Sequence, residues 1–348
     1  MKRYYISEIK EVNNFTALNK ARSDVERIFN DNKFIKINSY INIKKASNSN
    51  MQFIKEVITN IINIKRGDII YFQYPYYDRW KKMYSLIKTL RMKKGVFLVA
   101  IVHDIDSLRY EKGNVQGYSI EKEIERLNNF DCVISHNYKM TEFLKDSGLK
   151  SEIVEIDIFD YLLEKEIKNT NCRNSDIVFA GNLSKNKSGF IYKLIKRDIN
   201  YTMNLYGPNF EGQTNGNIVY KGIYPPDQLL EEVEGKFGLI WDGGSLECCD
   251  GEAGKYTRFN NPHKTSMYIA GELPIICWDK MAISKFVKEN KIGISIKNIE
   301  DLSSVLNSVS EEQYANMLNN IKVLKDRLIK GYYTNKALKK AEDILLKN

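Results

Sequence analysis

The stretch Val96-Phe-Leu-Val-Ala-Ile-Val102 is apolar throughout, and it is followed at once by His103-Asp-Ile-Asp106. A short apolar run between longer periodic segments is typical of a strand that is buried on both faces of a parallel sheet. Sheets of this kind bind ligands at the carboxyl ends of their strands. The polar residues that follow this strand are therefore candidates for a functional site.

The same alternation of short apolar runs and longer periodic segments extends in both directions along the chain. Strands are predicted at residues 4–6, 68–72, 96–102 and 132–135, and again at 177–180, 202–206, 218–220, 237–241, 274–277 and 293–296. Helices are predicted at 17–29, 51–64, 78–93, 120–128 and 138–146, and then at 189–197, 226–234, 264–270, 282–290, 299–307, 311–330 and 334–347. Repeated strand–helix units predict an α/β fold with parallel sheets.

A polar stretch without a strand pattern divides the chain near its middle. It includes Glu164-Lys-Glu-Ile-Lys-Asn-Thr-Asn-Cys-Arg-Asn-Ser175 and predicts an interdomain linker. We therefore predict two Rossmann-like, doubly wound lobes that face a central cleft. Their ranges are 1–160 for the N-terminal lobe, 161–175 for the linker and 176–330 for the C-terminal lobe, and 331–348 form a last helix that could pack back on the N-terminal lobe.

Composition limits the class of protein. The 348 residues carry 53 basic and 44 acidic side chains, a net charge of +9, and five cysteines. The length suits two domains. No apolar run is long enough for a transmembrane helix, no secretory signal is visible, and the irregular cysteine spacing argues against disulfides and zinc. We expect a cytoplasmic protein. The basic excess is compatible with an anionic ligand, an anionic membrane surface, nucleic acid or ordinary drift, and no motif indicates nucleic-acid binding.

Ionisable groups crowd the loop after the strand at 96–102. His103, Asp104 and Asp106 are candidates for a general base that takes a proton from an acceptor hydroxyl. A capped loop with a satisfied histidine is the structural alternative. The spacing Asp104-x-Asp106 also occurs in metal sites, but the two-lobe pattern and the lysines of the second half argue against one here. No metal ligand is predicted.

Loops rich in glycine, lysine and aromatic residues follow the strands of the second half. Gly181 allows a sharp turn before a basic loop and a helix, a geometry that suits a pyrophosphate. Asn261-Pro262 predicts a helix start with Lys264 in the first turn, where a cation opposes the helix dipole and so lacks a structural explanation. A plain helix cap near residue 16 and a solvated basic loop at 185–187 are the structural alternatives to a donor-binding role for these positions. The candidate donor-binding residues are Thr16, Asn182, Lys185, Lys187, Tyr206, Gly222, Tyr224, Asn261, His263 and Lys264.

Six short motifs together resemble the bacterial galactofuranosyltransferases and their relatives, the streptococcal glucosyltransferase 3 enzymes. The motifs are H-D-I-D-S-L-R at 103–109, F-A-G-N-L-S-K at 179–185, L-Y-G-P-N-F at 205–210, Y-K-G-x-x-P-P at 220–226, F-G-L-I-W-D-G at 237–243 and N-N-P-H-K-x-S-x-Y-x-A at 260–270. The resemblance covers nearly the whole chain. It implies a GT-B fold, a UDP-sugar donor, no metal or other cofactor, inversion at the anomeric carbon and, in some members, homo-oligomers.

The resemblance also implies roles for individual residues. Lys264 looks like the family's diphosphate-binding lysine, Lys185 lies where an Arg or Lys contributes to the same site, and Thr16 looks like a donor contact from the N-terminal lobe.

Two positions depart from the family pattern. Met267 stands where many GT-B enzymes have a glutamate that binds the ribose, so Tyr224 or Asn261 is the candidate for that contact. Glu272 stands where glycine is usual, in the turn that precedes a strand.

We therefore predict a metal-independent inverting glycosyltransferase that moves a hexose, galactofuranose first, from a UDP-sugar on the C-terminal lobe to a glycan acceptor on the N-terminal lobe. The product would belong to cell-surface polysaccharide or glycoprotein synthesis. The alternatives are a glucosyltransferase that extends sugars on a serine-rich adhesin and a non-catalytic GT-B partner subunit. Residues 79–94 predict a basic amphipathic helix that could contact the inner face of a membrane, with a solvated helix over its own core as the structural alternative.

Overall fold

The computed structural model describes residues 1–7, 17–38, 59, 62–76, 80–93, 95–110, 119–165, 167 and 173–347. The N-terminal elements are β1 Arg3–Ser7, α1 Ala17–Asp31, β2 Ile35–Asn38, β3 Ile69–Tyr74, α2 Trp80–Arg91, β4 Phe97–Val102, α3 Asp106–Arg109, α4 Ile120–Leu127, β5 Cys132–Ser135, α5 Tyr138–Asp146 and β6 Glu152–Glu155. The later elements are β7 Ile177–Ala180, α6 Lys185–Leu194, β8 Met203–Tyr206, β9 Ile218–Gly222, α7 Pro226–Glu232, β10 Phe237–Ile240, α8 Gly251–Tyr256, α9 His263–Ala270, β11 Ile275–Trp278, α10 Ile283–Glu289, β12 Gly293–Ile296, a 3₁₀ turn Ile299–Asp301, α11 Leu302–Ser308, α12 Glu311–Leu328 and α13 Tyr332–Leu345.

The described strands form two six-stranded sheets, one in each lobe. The strand order is β2-β1-β3-β4-β5-β6 in the first sheet and β12-β11-β10-β7-β8-β9 in the second. The strand pairs are parallel. Each order reverses direction beside the first strand of its lobe, and ligands bind outside the strand ends at such a reversal. The predicted fold class, two Rossmann-like lobes, is confirmed.

The central strands are apolar because both of their faces are covered. All six residues of β3 are buried, as are five of the six residues of β4. β3 and β4 pair along their full length, with Tyr74 level with Val102. His103 N donates to Tyr74 O at 2.7 Å, which extends the pairing by one residue. The register therefore brings the loop after β4 out beside the end of β3.

The last helix returns to the first lobe. Tyr71 on β3 donates from its hydroxyl to Glu342 Oε1 of α13 at 3.0 Å. The carboxylate of Asp160 accepts the backbone N–H groups of Tyr333 at 3.1 Å and Thr334 at 2.6 Å, where α13 begins. α13 therefore packs on the N-terminal sheet, although it follows the C-terminal lobe in sequence.

The structure differs from the sequence prediction at the sheet edges and in the linker. β2 and β6 are edge strands that the pattern did not predict, since lysine, asparagine and glutamate interrupt their apolar residues. Tyr161 and Leu162, expected in a polar linker, are buried at 2% and 5% exposure. The helix predicted at 51–64 lies largely outside the described residues.

The segment at 79–94 forms α2, and its apolar side faces its own lobe. Met83, Leu86, Ile87 and Leu90 are buried in the core of the N-terminal lobe. Arg79 and Lys94 lie outside the described residues. Among the helices described, none is long and apolar enough to cross a membrane.

Candidate active site

A cleft of about 330 Å³ opens between the lobes at the carboxyl ends of both sheets. Its N-terminal wall comes from α1 and the segments after β4, β5 and β6, and its C-terminal wall from α6, the loop after β10, α8 and the start of α9. The main side chains of its lining are His103, Asp104, Arg109, His136, Phe159, Lys187, Asp242, Glu252, Tyr256, Asn261, His263 and Lys264. Residues from the two halves of the chain therefore meet in a single cavity.

Asp104 is the predicted base that lies at the cleft with a charged partner. Arg109 Nη1 donates to Asp104 Oδ2 at 2.7 Å, and the Asp104 side chain is 12% exposed. The next residue, Ile105, donates its backbone N–H to the hydroxyl of Tyr256 in the other lobe at 3.0 Å. Asp104 is thus fixed where it can still reach a ligand.

His103 also lines the cleft, but its ring is committed to the protein. Its Nε2 lies 2.7 Å from Gln73 Oε1, and the ring stacks on Phe159 with centroids 4.7 Å apart. Burial lowers the pKa of His103 well below its ordinary value, and the nearby charge of Arg22 adds to the effect. A neutral imidazole that donates to Gln73 is better suited to shaping the wall than to accepting a proton.

Asp106 lies behind the wall and outside the cleft lining. Burial raises the pKa of Asp106 to about 7, and the charges of Glu123 and Asp104 add to the effect. Glu123, fully buried on α4, accepts the backbone N–H groups of Asp106 at 3.2 Å and Ser107 at 2.8 Å. This contact fixes the start of α3. Asp106 therefore belongs to the structure behind the cleft wall and not to the wall itself.

Lys264 lies in the opposite wall, next to a carboxylate. Its Nζ is 3.1 Å from Asp242 Oδ1 and 4.3 Å from the centroid of the Phe179 ring. Burial lowers the pKa of Lys264, while the Asp242 charge opposes this shift and Lys187 adds to it. A Cβ on Gly181 would lie 2.8 Å from Lys264 Cε, so glycine leaves room for the lysine in this position.

Lys187 completes a cationic pair across Asp242. Its Nζ lies 3.8 Å from Asp242 Oδ2. Both lysines flank the reversal between β7 and β10, and α9 begins there without an acidic residue in its first turn or a side chain that caps it. Two lysines and the positive end of a helix dipole form a site that suits an anion.

Lys185 and Asn182 do not reach the cleft lining. α6 begins at Lys185, four residues earlier than predicted, and turns Lys185 outward. The Lys185 side chain is 61% exposed and pairs with Glu211 at 3.6 Å. Asn182 Oδ1 accepts the Ser184 backbone N–H at 3.0 Å. Of the predicted basic loop, only Lys187 faces the cleft.

The aromatic candidates are also outside the lining. Tyr206 is buried, its hydroxyl donates to Glu232 O at 3.1 Å, and it accepts Glu234 N at 3.0 Å. Burial raises the pKa of Tyr206 to about 12. Gly222 has a φ of +104°, and its carbonyl accepts a backbone bond in the turn after β8. Tyr224 packs against Tyr206 with centroids 6.2 Å apart.

Asn261 joins the two lobes. Its Oδ1 accepts Asn137 Nδ2 at 2.7 Å, its Nδ2 donates to His136 O at 3.1 Å and to Asp157 O, and its backbone N–H donates to His136 Nδ1 at 3.0 Å. The side chain is therefore engaged with the N-terminal lobe, although a ribose contact was predicted for it.

Of the remaining predicted positions that the structure describes, one lines the cleft and the others lie away from it. His263 lines the cleft, its ring stacks on Tyr161 at 5.4 Å, and burial lowers its pKa to about 4. Met267 is 8% exposed and lies in the core. Glu272 adopts a left-handed φ of 55° and its carboxylate lies 2.7 Å from Lys325 Nζ. Thr16 lies outside the described residues.

Several cleft residues were not among the predicted site residues. Asp242 could have been found, because it directly follows a predicted strand, as His103 does. His136 could have been found in the same way, because it directly follows the predicted strand at 132–135. Tyr256 and Phe159 reach the cleft through contacts between distant parts of the chain, which no local pattern reveals. Within the described ranges, no group of three or more His, Cys, Asp or Glu side chains is arranged to hold a metal ion.

Comparison with known proteins shows the family of this chain. Residues 3–158 match the glucosyltransferase 3-like N-terminal domain, and residues 177–341 match the corresponding C-terminal domain. The chain belongs to the glucosyltransferase 3-like family. Relatives and structural neighbours transfer sugars, and this family member is a glycosyltransferase.

Two curated relatives of this glucosyltransferase 3-like protein differ in the sugar their names specify. It is 31% identical over 330 residues, 94% of each chain, to the β-1,6-galactofuranosyltransferase WbbI of Escherichia coli strain K12. It is 24% identical over 281 residues, 80% of this chain and 79% of the relative, to glucosyltransferase 3 of Streptococcus parasanguinis.

Solved glycosyltransferases share the two-lobed GT-B architecture. T4 phage BGT was solved in complex with its UDP-glucose substrate. Its structural alignment with this protein spans 99% of this chain and 100% of the BGT chain, with a TM-score of 0.52 and 13% identity. At this identity the likeness concerns the fold.

Proposed function

We propose that this glycosyltransferase moves galactofuranose from a UDP-sugar to a hydroxyl of a glycan acceptor, with inversion at the anomeric carbon and without a metal ion. The observation that carries the proposal is the placement of Lys187 and Lys264 in one wall of the cleft and Asp104 in the other. The identity to WbbI favours galactofuranose as the sugar.

The C-terminal wall is proposed to bind the donor diphosphate. As the anomeric C–O bond breaks, its electron pair leaves with the UDP, and negative charge develops on the leaving oxygen. Lys264, Lys187 and the N-terminus of α9 would stabilise that charge, as preorganised cations and dipoles do in a cleft with little water. Asp242 would exchange lysine contacts with the diphosphate when the donor binds.

The N-terminal wall is proposed to activate the acceptor. The acceptor hydroxyl gives its proton to the Asp104 carboxylate while its oxygen forms the new bond to the anomeric carbon. Arg109 Nη1, 2.7 Å from Asp104 Oδ2, holds the carboxylate at the cleft. Attack from the wall opposite the diphosphate accounts for inversion.

The donor sugar can be tested directly. The purified protein is incubated with UDP-galactofuranose, UDP-galactopyranose or UDP-glucose and a panel of glycan acceptors, and UDP release is measured. We expect the highest rate with UDP-galactofuranose and none from the Asp104→Asn variant. A higher rate with UDP-glucose would favour the glucosyltransferase alternative, to which the relative from Streptococcus parasanguinis points.

Contact with a membrane is proposed to be electrostatic. The apolar side of α2 is buried, but Lys88 is exposed on its outer side and Met92, just beyond it, is 83% exposed. Basic side chains are attracted to an anionic bilayer, and salt shortens the distance over which this attraction acts. Co-sedimentation with anionic vesicles should weaken when Lys88 and its basic neighbours become Gln, and unchanged binding would exclude this surface.

A further inference from the structure

We propose that Tyr256 is a positioning residue: from the C-terminal lobe it orients the Asp104 carboxylate of the N-terminal lobe, so that the base is aligned only while the lobes are together. This inference rests on the proposed function, in which Asp104 takes the proton of the acceptor hydroxyl.

The contacts of Tyr256 fix both its lone pair and its proton. Tyr256 is 4% exposed, and its hydroxyl accepts the Ile105 backbone N–H at 3.0 Å. Asp104, the residue before Ile105, lines the cleft beside Tyr256, and its carboxylate acts on the pKa of this hydroxyl. Burial, followed by the charge of Asp104, raises the pKa of Tyr256 well above its ordinary value. The phenol therefore stays protonated, and its O–H can act as a hydrogen-bond donor to the carboxylate.

Asp104 is therefore held from both lobes. Arg109 Nη1 reaches it from the same loop at 2.7 Å, and its side chain is 33% exposed. One long, partly exposed side chain leaves a carboxylate free to rotate. A second donor that approaches from another direction, on a buried ring with few rotatable bonds, restricts the carboxylate to one orientation.

Tyr256 is rigidly attached to the donor side of the cleft. It is the last residue of α8, and a Cβ on Gly254 of that helix would lie 2.8 Å from the carbonyl oxygen of Asp242. α8 thus packs directly on the residue that holds Lys264. If the lobes moved apart, Tyr256 would move with the donor lysines, and Asp104 would lose its contact with the C-terminal lobe.

The experiment compares Tyr256→Phe with the parent. We expect kcat to fall about tenfold or more, as for loss of a hydrogen bond to a charged group, while the Kd for UDP stays within about twofold. The acidic limb of kcat/KM should move to higher pH, because a carboxylate that loses a donor holds its proton more tightly. Replacing Tyr256 with 3-fluorotyrosine, whose phenol donates more strongly, should move that limb to lower pH.

Tyr71→Phe is the matched control. It also removes a buried phenol hydroxyl, but one that contacts Glu342 of α13 away from the cleft, so kcat and the pH profile should match the parent.

The outcomes separate the two proposals. If Tyr256→Phe keeps the parent kcat and acidic limb while Asp104→Asn is inactive, the role of Tyr256 is wrong and the proposed function stands. If Asp104→Asn keeps the parent rate, or the parent releases no UDP from any UDP-hexose, the proposed function is wrong and the role of Tyr256 is overturned with it.

Discussion

Lys264 Nζ lies 3.1 Å from Asp242 Oδ1 at the carboxyl end of β10, so the lysine predicted to bind an anion already has a carboxylate partner. Lys187 approaches the other oxygen of Asp242 at 3.8 Å. The carboxylate keeps both cations at the cleft and offsets part of the cost of burying Lys264. In the proposed function, a donor diphosphate would replace it as their partner.

Replacing Lys264 with Ala should weaken UDP binding. A hydrogen bond between a charged group and phosphate contributes about 1.5–3 kcal/mol, which corresponds to a loss of roughly 10- to 150-fold in affinity. Isothermal titration calorimetry measures the effect. Lys193→Ala, an exposed lysine on α6, is the control and should bind UDP like the parent. Equal UDP affinity of parent and Lys264→Ala would show that the donor binds elsewhere.

The lysines of the basic loop should differ from one another. Lys187→Ala should weaken UDP binding, because Lys187 lines the cleft. Lys185→Ala should have a much smaller effect, because its side chain is 61% exposed and pairs with Glu211. Calorimetry on both variants ranks them, and a larger effect at Lys185 would contradict the placement of the diphosphate.

The pH dependence of UDP binding should report on Lys264. Its pKa is lowered by burial and held up by Asp242, so UDP affinity should fall at alkaline pH as the lysine loses its charge. Asp242→Asn removes the group that favours the charged lysine, so the loss should begin at lower pH. UDP dissociation constants measured from pH 7 to 10 test this. If the alkaline fall in UDP affinity of Asp242→Asn occurs at the same pH as in the parent, or at higher pH, a group other than Lys264 controls it.

Asp104→Asn should separate binding from transfer. UDP affinity should stay near that of the parent, since Asp104 lies in the wall opposite the lysines, while transfer should be lost because an amide cannot accept the proton. UDP calorimetry and UDP-release assays on the same preparation give both quantities. Residual transfer near the parent rate would show that Asp104 is not the base and would overturn the proposed mechanism.

Asp160 should make folding stability depend on pH. Burial raises the pKa of Asp160 to about 7, because its effect is larger than the opposing effect of the hydrogen bonds that Asp160 accepts from Thr334 and Tyr333. The folded state therefore keeps a proton that the unfolded chain has lost, and this contribution to the free energy of unfolding disappears as pH rises through 7. The gain on acidification is about 1.4 kcal/mol per pH unit between pH 7 and pH 5.

Asp160→Asn isolates this contribution. Urea unfolding of parent and variant at pH 5 and pH 8 gives the difference in their free energies of unfolding, and that difference should favour the parent more at pH 5. The other titrating groups cancel in the comparison. A difference that is constant with pH would contradict the raised pKa of Asp160.

The sequence predicts the fold well because buried parallel strands carry a strong pattern. Every strand of the C-terminal lobe was predicted within about one or two residues, a small error for boundaries read from a pattern. β2 and β6 escaped prediction because an edge strand needs apolar residues on fewer sides.

The site was predicted less completely, for a physical reason. A strand-end rule identifies Asp104, Lys187 and Lys264, which line the cleft. The rule cannot tell a residue that faces the cleft from one whose polar atoms are used inside the protein. Tyr206 and Asn261 are of the second kind, and their partners lie about 26 and 125 residues away in sequence.

The return of α13 to the first lobe has a consequence for synthesis. The N-terminal lobe is made first, but Tyr71 and Asp160 find their partners Glu342 and Thr334 only when the last helix has left the ribosome. The C-terminal lobe is continuous from β7 to α12 and has all of its strands once α12 emerges. Domains generally fold as units during translation. The second lobe to be synthesised is therefore the first that can complete its fold, and the first lobe waits for the final turns of the chain.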